Sequence, residues 1–191
     1  MTGLVTVGYY LVSLFFSLIL LLLWARIFLR YFRISALHPI SQGINGLLNP
    51  IIGPVERLVY RKQPAPKRYD WITLLFVIAV ELIKFFLIGL IVYGAIMPFS
   101  YLLLFTAADL IVQPLNLLFF MVLIRALMSW INPQWHHPAG EVLAVMTNPL
   151  LALGRKIIPD ISGFDFSPII IMIMIKVITL FISASMPLPI L

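Results

Sequence analysis

Ionisable residues inside long apolar runs are the places where this chain could do chemistry. Glu81 stands eleven residues beyond Asp70, and Lys176 stands eleven beyond Asp165. If each aspartate opens a helix, both side chains lie about 16 Å along its axis at 1.5 Å per residue. An acid in one half of the chain, with a base at the matching place in the other, predicts a pair across the seam between the halves. Left alone in hydrocarbon, each charge costs about 2.5–3.5 kcal/mol on insertion scales, so pairing is expected. Two roles fit. The pair fixes how the halves dock, as buried pairs often do, or it forms a proton or ion site that opens when the partners separate. Lys84, three residues beyond Glu81, either shares that carboxylate at i, i+3 helical spacing or extends its stem toward the outer face.

The remaining polar groups read first as structure or anchoring. Asp109, Gln113 and Asn116 fall on one helical stripe, and Thr6, Tyr10, Ser13 and Ser17 repeat a similar spacing near the amino end. They line a cavity open to the outside or, more economically, make interhelical hydrogen bonds worth about 0.6 kcal/mol each. Arg26 and Arg125 close two apolar runs, where a cation meets the negative end of a helix dipole and reaches lipid phosphates. Arg155 and Lys156 are expected to anchor headgroups in the same way. Asn49-Pro50 and Asn148-Pro149 read as junctions between half-helices, because the residue before a proline disfavours helix. His38, His136 and His137 form a candidate metal or haem cluster. His before Pro in a loop is ordinary interface chemistry, however, and no carboxylate stands at a supporting spacing, so no metal or cofactor is expected. Asp160 and Asp165 flank a turn at Ser162-Gly163, the second as an N-terminal cap of the next helix. Gly-rich phosphate loops, HExxH, GxSxG and paired catalytic carboxylates are missing from the sequence, and an enzyme is not expected.

Such residues have to be positioned by membrane-spanning helices. Apolar residues make up 62% of the chain and charged residues 10%, with a mean hydropathy of +1.09. A soluble domain carries roughly a quarter charged residues. Four apolar stretches, near Leu4–Leu29, Trp71–Met97, Leu103–Trp130 and Phe166–Ala184, are long enough to cross a hydrocarbon core that takes about 20 helical residues. No alternating pattern of a β-barrel is visible. The amino-terminal run lacks the basic n-region and cleavage site of a signal peptide and reads as a retained helix. The absence of Cys excludes disulfides, thiolate metal sites and covalent haem attachment.

Positive charge gives the orientation. Eleven of the thirteen Lys and Arg residues lie in or beside the two long connections, and the other two are Lys84 and Lys176. The positive-inside rule then puts both connections in the cytoplasm and both termini outside. A net charge of +6 fits anionic lipid headgroups as partners and gives no sign of nucleic acid binding. Residues 61–69, with two prolines and four basic residues, read as a linker that lies against headgroups.

The chain also repeats itself. Arg26, Tyr31 and His38-Pro39 recur 99 positions later as Arg125, Trp130 and His137-Pro138, and Asn49-Pro50 recurs as Asn148-Pro149. Asp70-Trp71 matches Asp165-Phe166 after a four-residue length difference. The expectation is an all-α membrane protein of two tandem repeats, 1–98 and 99–191, each a helix, a membrane-lying amphipathic cytoplasmic segment and a second helix. Apolar stripes over 40–59 and 139–158 carry those segments, each broken at its prolines. Two parallel repeats related by about half a turn would set the second and fourth spans face to face, with Glu81 and Lys176 between them.

The run Arg125, Trp130, Pro138, Leu143, Thr147-Asn148-Pro149-Leu150, Arg155-Lys156-Ile157-Ile158-Pro159 and Gly163-Phe164-Asp165-Phe166-Ser167-Pro168 resembles the repeat of the YggT family of bacterial inner-membrane proteins, which also reaches plastids. The second copy matches closely and the first more loosely. Asn148 stands where the family often has an acid, and Leu153 where it often has a Pro. The resemblance implies a part in envelope processes, osmotic or ion homeostasis, division or assembly of membrane complexes, and supplies no catalytic mechanism. Two readings follow. The first is a non-enzymatic assembly or scaffold protein that works through its amphipathic segments, lipids and other membrane proteins. The second is a small ion transporter or channel component, built as a homo-oligomer, that uses the intramembrane charges.

Overall fold

The computed structural model describes residues 3–61, 68–131, 137–157 and 165–186, and of Trp130 the backbone alone. The expectations placed on residues 62–67, on His136 and on the Asp160–Gly163 turn lie outside the described residues. Among the described residues six helices follow in order: α1 (Gly3–Tyr31), α2 (Pro39–Val59), α3 (Trp71–Tyr93), α4 (Phe99–Ile131), α5 (Pro138–Ile157) and α6 (Ser167–Ala184). Helices α1, α3, α4 and α6 are long and apolar enough to cross a membrane. This is the expected four-span protein. The amphipathic helices α2 and α5 connect the spans within each repeat.

Local chemistry sets the helix ends in parallel in the two copies. His38 accepts from the Ile40 amide at 3.3 Å through Nδ1, and His137 accepts from the Ala139 amide at 3.1 Å. Each His-Pro step is therefore a cap followed by a proline at the first helical position, where no amide hydrogen is needed. Asp70 caps α3 by accepting from the Thr73 amide at 3.0 Å. Asp165 sits one residue before the N-cap of α6 and accepts from the Ser167 amide at 2.9 Å, an Asx turn rather than the expected cap. Helix α3 stops short of the expected Met97 because Gly94 takes a left-handed φ of +65°, which glycine adopts without steric penalty. Helix α1 ends in the same kind of bend, with Arg33 at φ +57°. There the Ile34 amide donates to Leu29 at 2.9 Å and the Arg33 amide to Arg30 at 3.0 Å, the paired bonds of a Schellman motif.

The junctions expected at Asn49-Pro50 and Asn148-Pro149 do not divide the connecting helices. Pro50 and Pro54 lie inside a continuous α2, and Pro149 lies inside a continuous α5. A proline removes one backbone bond, and the buried faces of these helices outweigh that loss. Ile52 and Leu48 pack with Leu20, Leu23, Ile72 and Val77 to form the core of the first repeat. The second repeat closes around Val122, Leu151, Ile171 and Ile175. Leu23 and Val122 are equivalent positions, as are Ile52 and Leu151, so the first span and connecting helix of each repeat enter their cores in the same register.

The spans do not close as a half-turn bundle. Helix α1 packs along α3, α3 along α4, and α4 along α6, with α1 also touching α4 and α2 touching α5. Among the described residues α3 and α6 share no extended contact, which corrects the expected face-to-face placement. Two apolar clusters hold the seam between the repeats. Phe85, Ile88, Met97 and Phe105 form one, with the Phe85 and Phe105 rings stacked 5.7 Å apart. Leu29, Met121, Val142 and Met146 form the other, beside the connecting helices.

Candidate functional site

At the middle of the seam, Lys84 of α3 lies between two carboxylates. Its Nζ is 3.3 Å from Glu81 Oε2 on the same helix and bonded to Asp109 Oδ2 on α4. All three side chains are withdrawn from the surface, with Glu81 at 0% exposure, Asp109 at 1% and Lys84 at 5%. Gln113, one turn along α4, donates to the same Asp109 oxygen at 3.2 Å. Glu81 Oε1 has no hydrogen-bond partner among the described residues, and neither has the buried Thr106 hydroxyl one turn before Asp109. Lys84 Nζ also sits 4.7 Å above the Phe85 ring, a favourable place for a desolvated cation.

The hairpin between α3 and α4 puts these groups at one depth. Lys84 is nine residues before the end of α3 and Asp109 is ten after the start of α4, roughly 14 and 15 Å along antiparallel axes. The bond between them joins the first repeat to the second. It performs the docking role expected of Glu81 and Lys176, with different partners. Lys176 does not meet Glu81: it is exposed on α6 with its Nζ 4.7 Å above the Phe119 ring. The physical reason is the packing order, since α4 stands where α6 was expected.

A second charged group joins the ends of α1, α2 and α3. Arg26, 1% exposed, donates to Asn49 Oδ1 at 2.9 Å, to Glu56 Oε1 at 2.9 Å and to Asp70 Oδ2 at 3.3 Å. Arg30 contacts the same two carboxylates at 2.8 and 3.0 Å. Arg26 is thus an internal staple rather than the expected headgroup anchor, because Glu56 saturates it. Asn49 serves the same staple instead of a half-helix break. The second repeat is wired differently, since Arg155 replaces Glu56 and Ser129 replaces Arg30. Arg125 donates to Thr147 Oγ1 at 2.6 Å and to the Ala144 carbonyl at 3.3 Å. Arg155 is engaged by Asp165 at 2.7 Å, so it too is not a free anchor. Burial by itself would raise the Asp165 carboxyl, but hydrogen bonds from Ser167 and Arg155 outweigh it and hold the group below its ordinary value. Lys156, Asn148 and Pro149 are exposed.

Two pairings were missed at the sequence level although a signal existed. Reflecting Lys84 across the short α3–α4 turn lands on Asp109. Asn49 and Glu56 stand seven residues apart on one face of α2, opposite Arg26 and Arg30 at i, i+4. No group of three or more His, Cys, Asp or Glu residues able to hold a metal ion occurs among the described residues.

The fold and the seam define a class: a duplicated, multi-pass helical membrane protein whose halves meet at buried charges. The family model described as CCB3/YggT matches the chain twice, over residues 5–91 and 104–186, and the chain belongs to that family. It is 34% identical over 165 residues to a protein of the proC 3′ region of Vibrio alginolyticus, covering 86% of each chain. It is 30% identical over 172 residues to YggT of Escherichia coli K12, covering 90% of this chain and 86% of that one. A Pseudomonas aeruginosa protein is 28% identical over 186 residues, covering 95% and 91%. No solved structure matches.

Proposed function

We propose that this is a non-enzymatic inner-membrane protein that holds an exchangeable proton at Glu81–Lys84–Asp109 and works as a small proton-conducting transporter or channel component. One observation carries the reading: two buried carboxylates share a single lysine. Docking the repeats needs one acid for Lys84, and Asp109 supplies it. Glu81 is then in excess. With both acids ionised the cluster bears one net negative charge in a low-dielectric setting, which is expensive. One further positive charge neutralises it. A proton needs a single oxygen, whereas a metal cation needs several. The unpartnered Glu81 Oε1 is the atom on which a proton costs least.

Four helices barely enclose a path, so the working unit is a homo-oligomer. Lys176, exposed along a spanning helix, supports a lateral partner there. In the bacterial inner membrane the basic connections face the cytoplasm and both termini the periplasm. The test is proton flux into sealed liposomes under an imposed potential, with Glu81→Gln beside wild type. Flux that falls at least about tenfold in the variant, at unchanged thermal stability, supports the reading.

The assembly reading has its own support. Leu47, Ile51 and Leu58 on α2, with Val145, Leu153 and Ile157 on α5, are large apolar side chains left exposed beside the spans. Folded wild-type protein without flux would return the function to capture of membrane partners by these helices.

A further inference from the structure

Between the two repeats, beside the connecting helices, lies a cleft of about 710 Å³, within the ~300–1,000 Å³ of ordinary small-molecule sites. Its inner wall is Phe28 of α1, Leu118 of α4, and Met146 and Leu150 of α5. Met146 at the back is buried, while Leu118 and Leu150 are half-buried. Among the described residues two charged side chains line the cleft, Arg33 and Arg68, and both are exposed. Among the described residues no carboxylate lines it. The nearest acids along the chain, Glu56 and Asp70, are already held by Arg26 and Arg30. Neither Arg33 nor Arg68 forms a salt bridge among the described residues.

We propose that this cleft binds one anionic phospholipid, with an acyl chain against Phe28, Leu118, Met146 and Leu150 and the phosphate between Arg33 and Arg68. Three observations support the assignment. The cleft is amphiphilic in the right sense, apolar at depth and doubly cationic at the rim, at the ends of spanning helices where phosphates lie. The Arg68 guanidinium is 5.1 Å above the Tyr31 ring and 5.6 Å above that of Tyr69. Stacking fixes its plane and leaves its edge donors for a phosphate. Arg33 occupies a left-handed position at φ +57°, where helix ends ordinarily use glycine. A side chain kept at a strained position points to use of that side chain.

A soluble amphiphile would have to be drawn out of water, whereas the bilayer presents phospholipid at this depth at very high local concentration. The net charge of the rim selects among lipids. A choline headgroup brings its own cation to two arginines, and phosphatidylglycerol does not. A lipid seated here touches α1 of the first repeat and α4 and α5 of the second, so it also bridges the seam.

The test is native mass spectrometry of the full chain in detergent, titrated with phosphatidylglycerol or phosphatidylcholine of identical chains, with inorganic phosphate as a competitor. Wild type should retain one phosphatidylglycerol per chain with about tenfold preference, roughly the worth of one charged contact. Arg68→Gln should reduce that preference to near parity. Leu150→Trp, which fills the cleft, should weaken both lipids. Arg33→Gly is the discriminating variant, because glycine suits the left-handed backbone and keeps the fold. It should hold or raise Tm and still lose phosphatidylglycerol about tenfold. Equal retention of the two lipids by wild type would overturn the proposal. So would undiminished phosphatidylglycerol binding in Arg33→Gly, or displacement of the lipid by phosphate at equal concentration.

Discussion

At the scale of single residues, the two carboxylates of the buried cluster are not equivalent. Asp109 ties Lys84 to the other repeat, while Glu81 shares Lys84 within its own helix and leaves one oxygen unpartnered. Neutralising each member should therefore have different consequences. Lys84→Met strands two buried acids and is expected to cost about 3–5 kcal/mol. Glu81→Gln removes the excess charge and should cost about 1 kcal/mol or less. Unfolding of the purified protein in mixed micelles measures both, and equal losses would contradict the assignment of roles. Asp165 gives a pH prediction with a definite sign. Its folded carboxyl lies below the ordinary value, so its contribution is complete above the unfolded value of about 3.9 and is lost as pH falls through the folded one. The share of Tm that Asp165 supplies, read as the difference between wild type and Asp165→Asn, should be constant through neutral pH and shrink below about pH 4. The sequence displayed every one of these residues. It did not display which acid meets which base, because pairing depends on helix order and a 99-residue offset does not encode that order.

At the scale of elements, helix type and span were legible because four apolar runs and two amphipathic stripes have unambiguous periods. Boundaries followed local chemistry more finely than the runs suggested. Gly94 stops α3 early, and α4 begins at Phe99 behind Pro98. The prolines misled. They read as breaks in α2 and α5, yet a helix whose apolar face is buried tolerates one lost backbone bond. The α5–α6 contact makes a sharper demand. A Cβ added at Gly154 would come within 2.9 Å of Ser167 Cβ and 3.0 Å of the Ser167 carbonyl oxygen. The first-repeat equivalent is Val55, so this close approach belongs to the second repeat alone. Gly154→Leu should push α5 off α6 and cost about 1–3 kcal/mol, visible as a lowered Tm, while Gly53→Leu, with nothing within 4 Å, should leave Tm near wild type.

At the scale of the molecule, duplication was legible and docking was not. The repeats share the His-Pro caps of their connecting helices but not wiring: Arg26 and Arg30 face Glu56 and Asp70 in the first, while Arg125 meets neutral acceptors in the second. The buried charged cluster is asymmetric for the same reason. Asp109 matches Tyr10 and Lys84 matches Thr179, so the molecule has one such cluster instead of two related by symmetry. The proposed conduction through this cluster, with Lys176 exposed on α6, predicts an assembly of copies. Because the chain has no cysteine, a single Ile173→Cys on the exposed face of α6 should report assembly as a disulfide-linked dimer in membranes, and Val77→Cys in the core of the first repeat should not. Infrared spectroscopy of the reconstituted protein at pH 7 reads the charge state of the cluster directly. A carboxylic-acid carbonyl band from a buried, protonated acid is predicted for wild type and should vanish in Glu81→Gln, where the remaining carboxylate balances Lys84. Absence of that band in wild type, or its persistence unchanged in Glu81→Gln, would contradict the account.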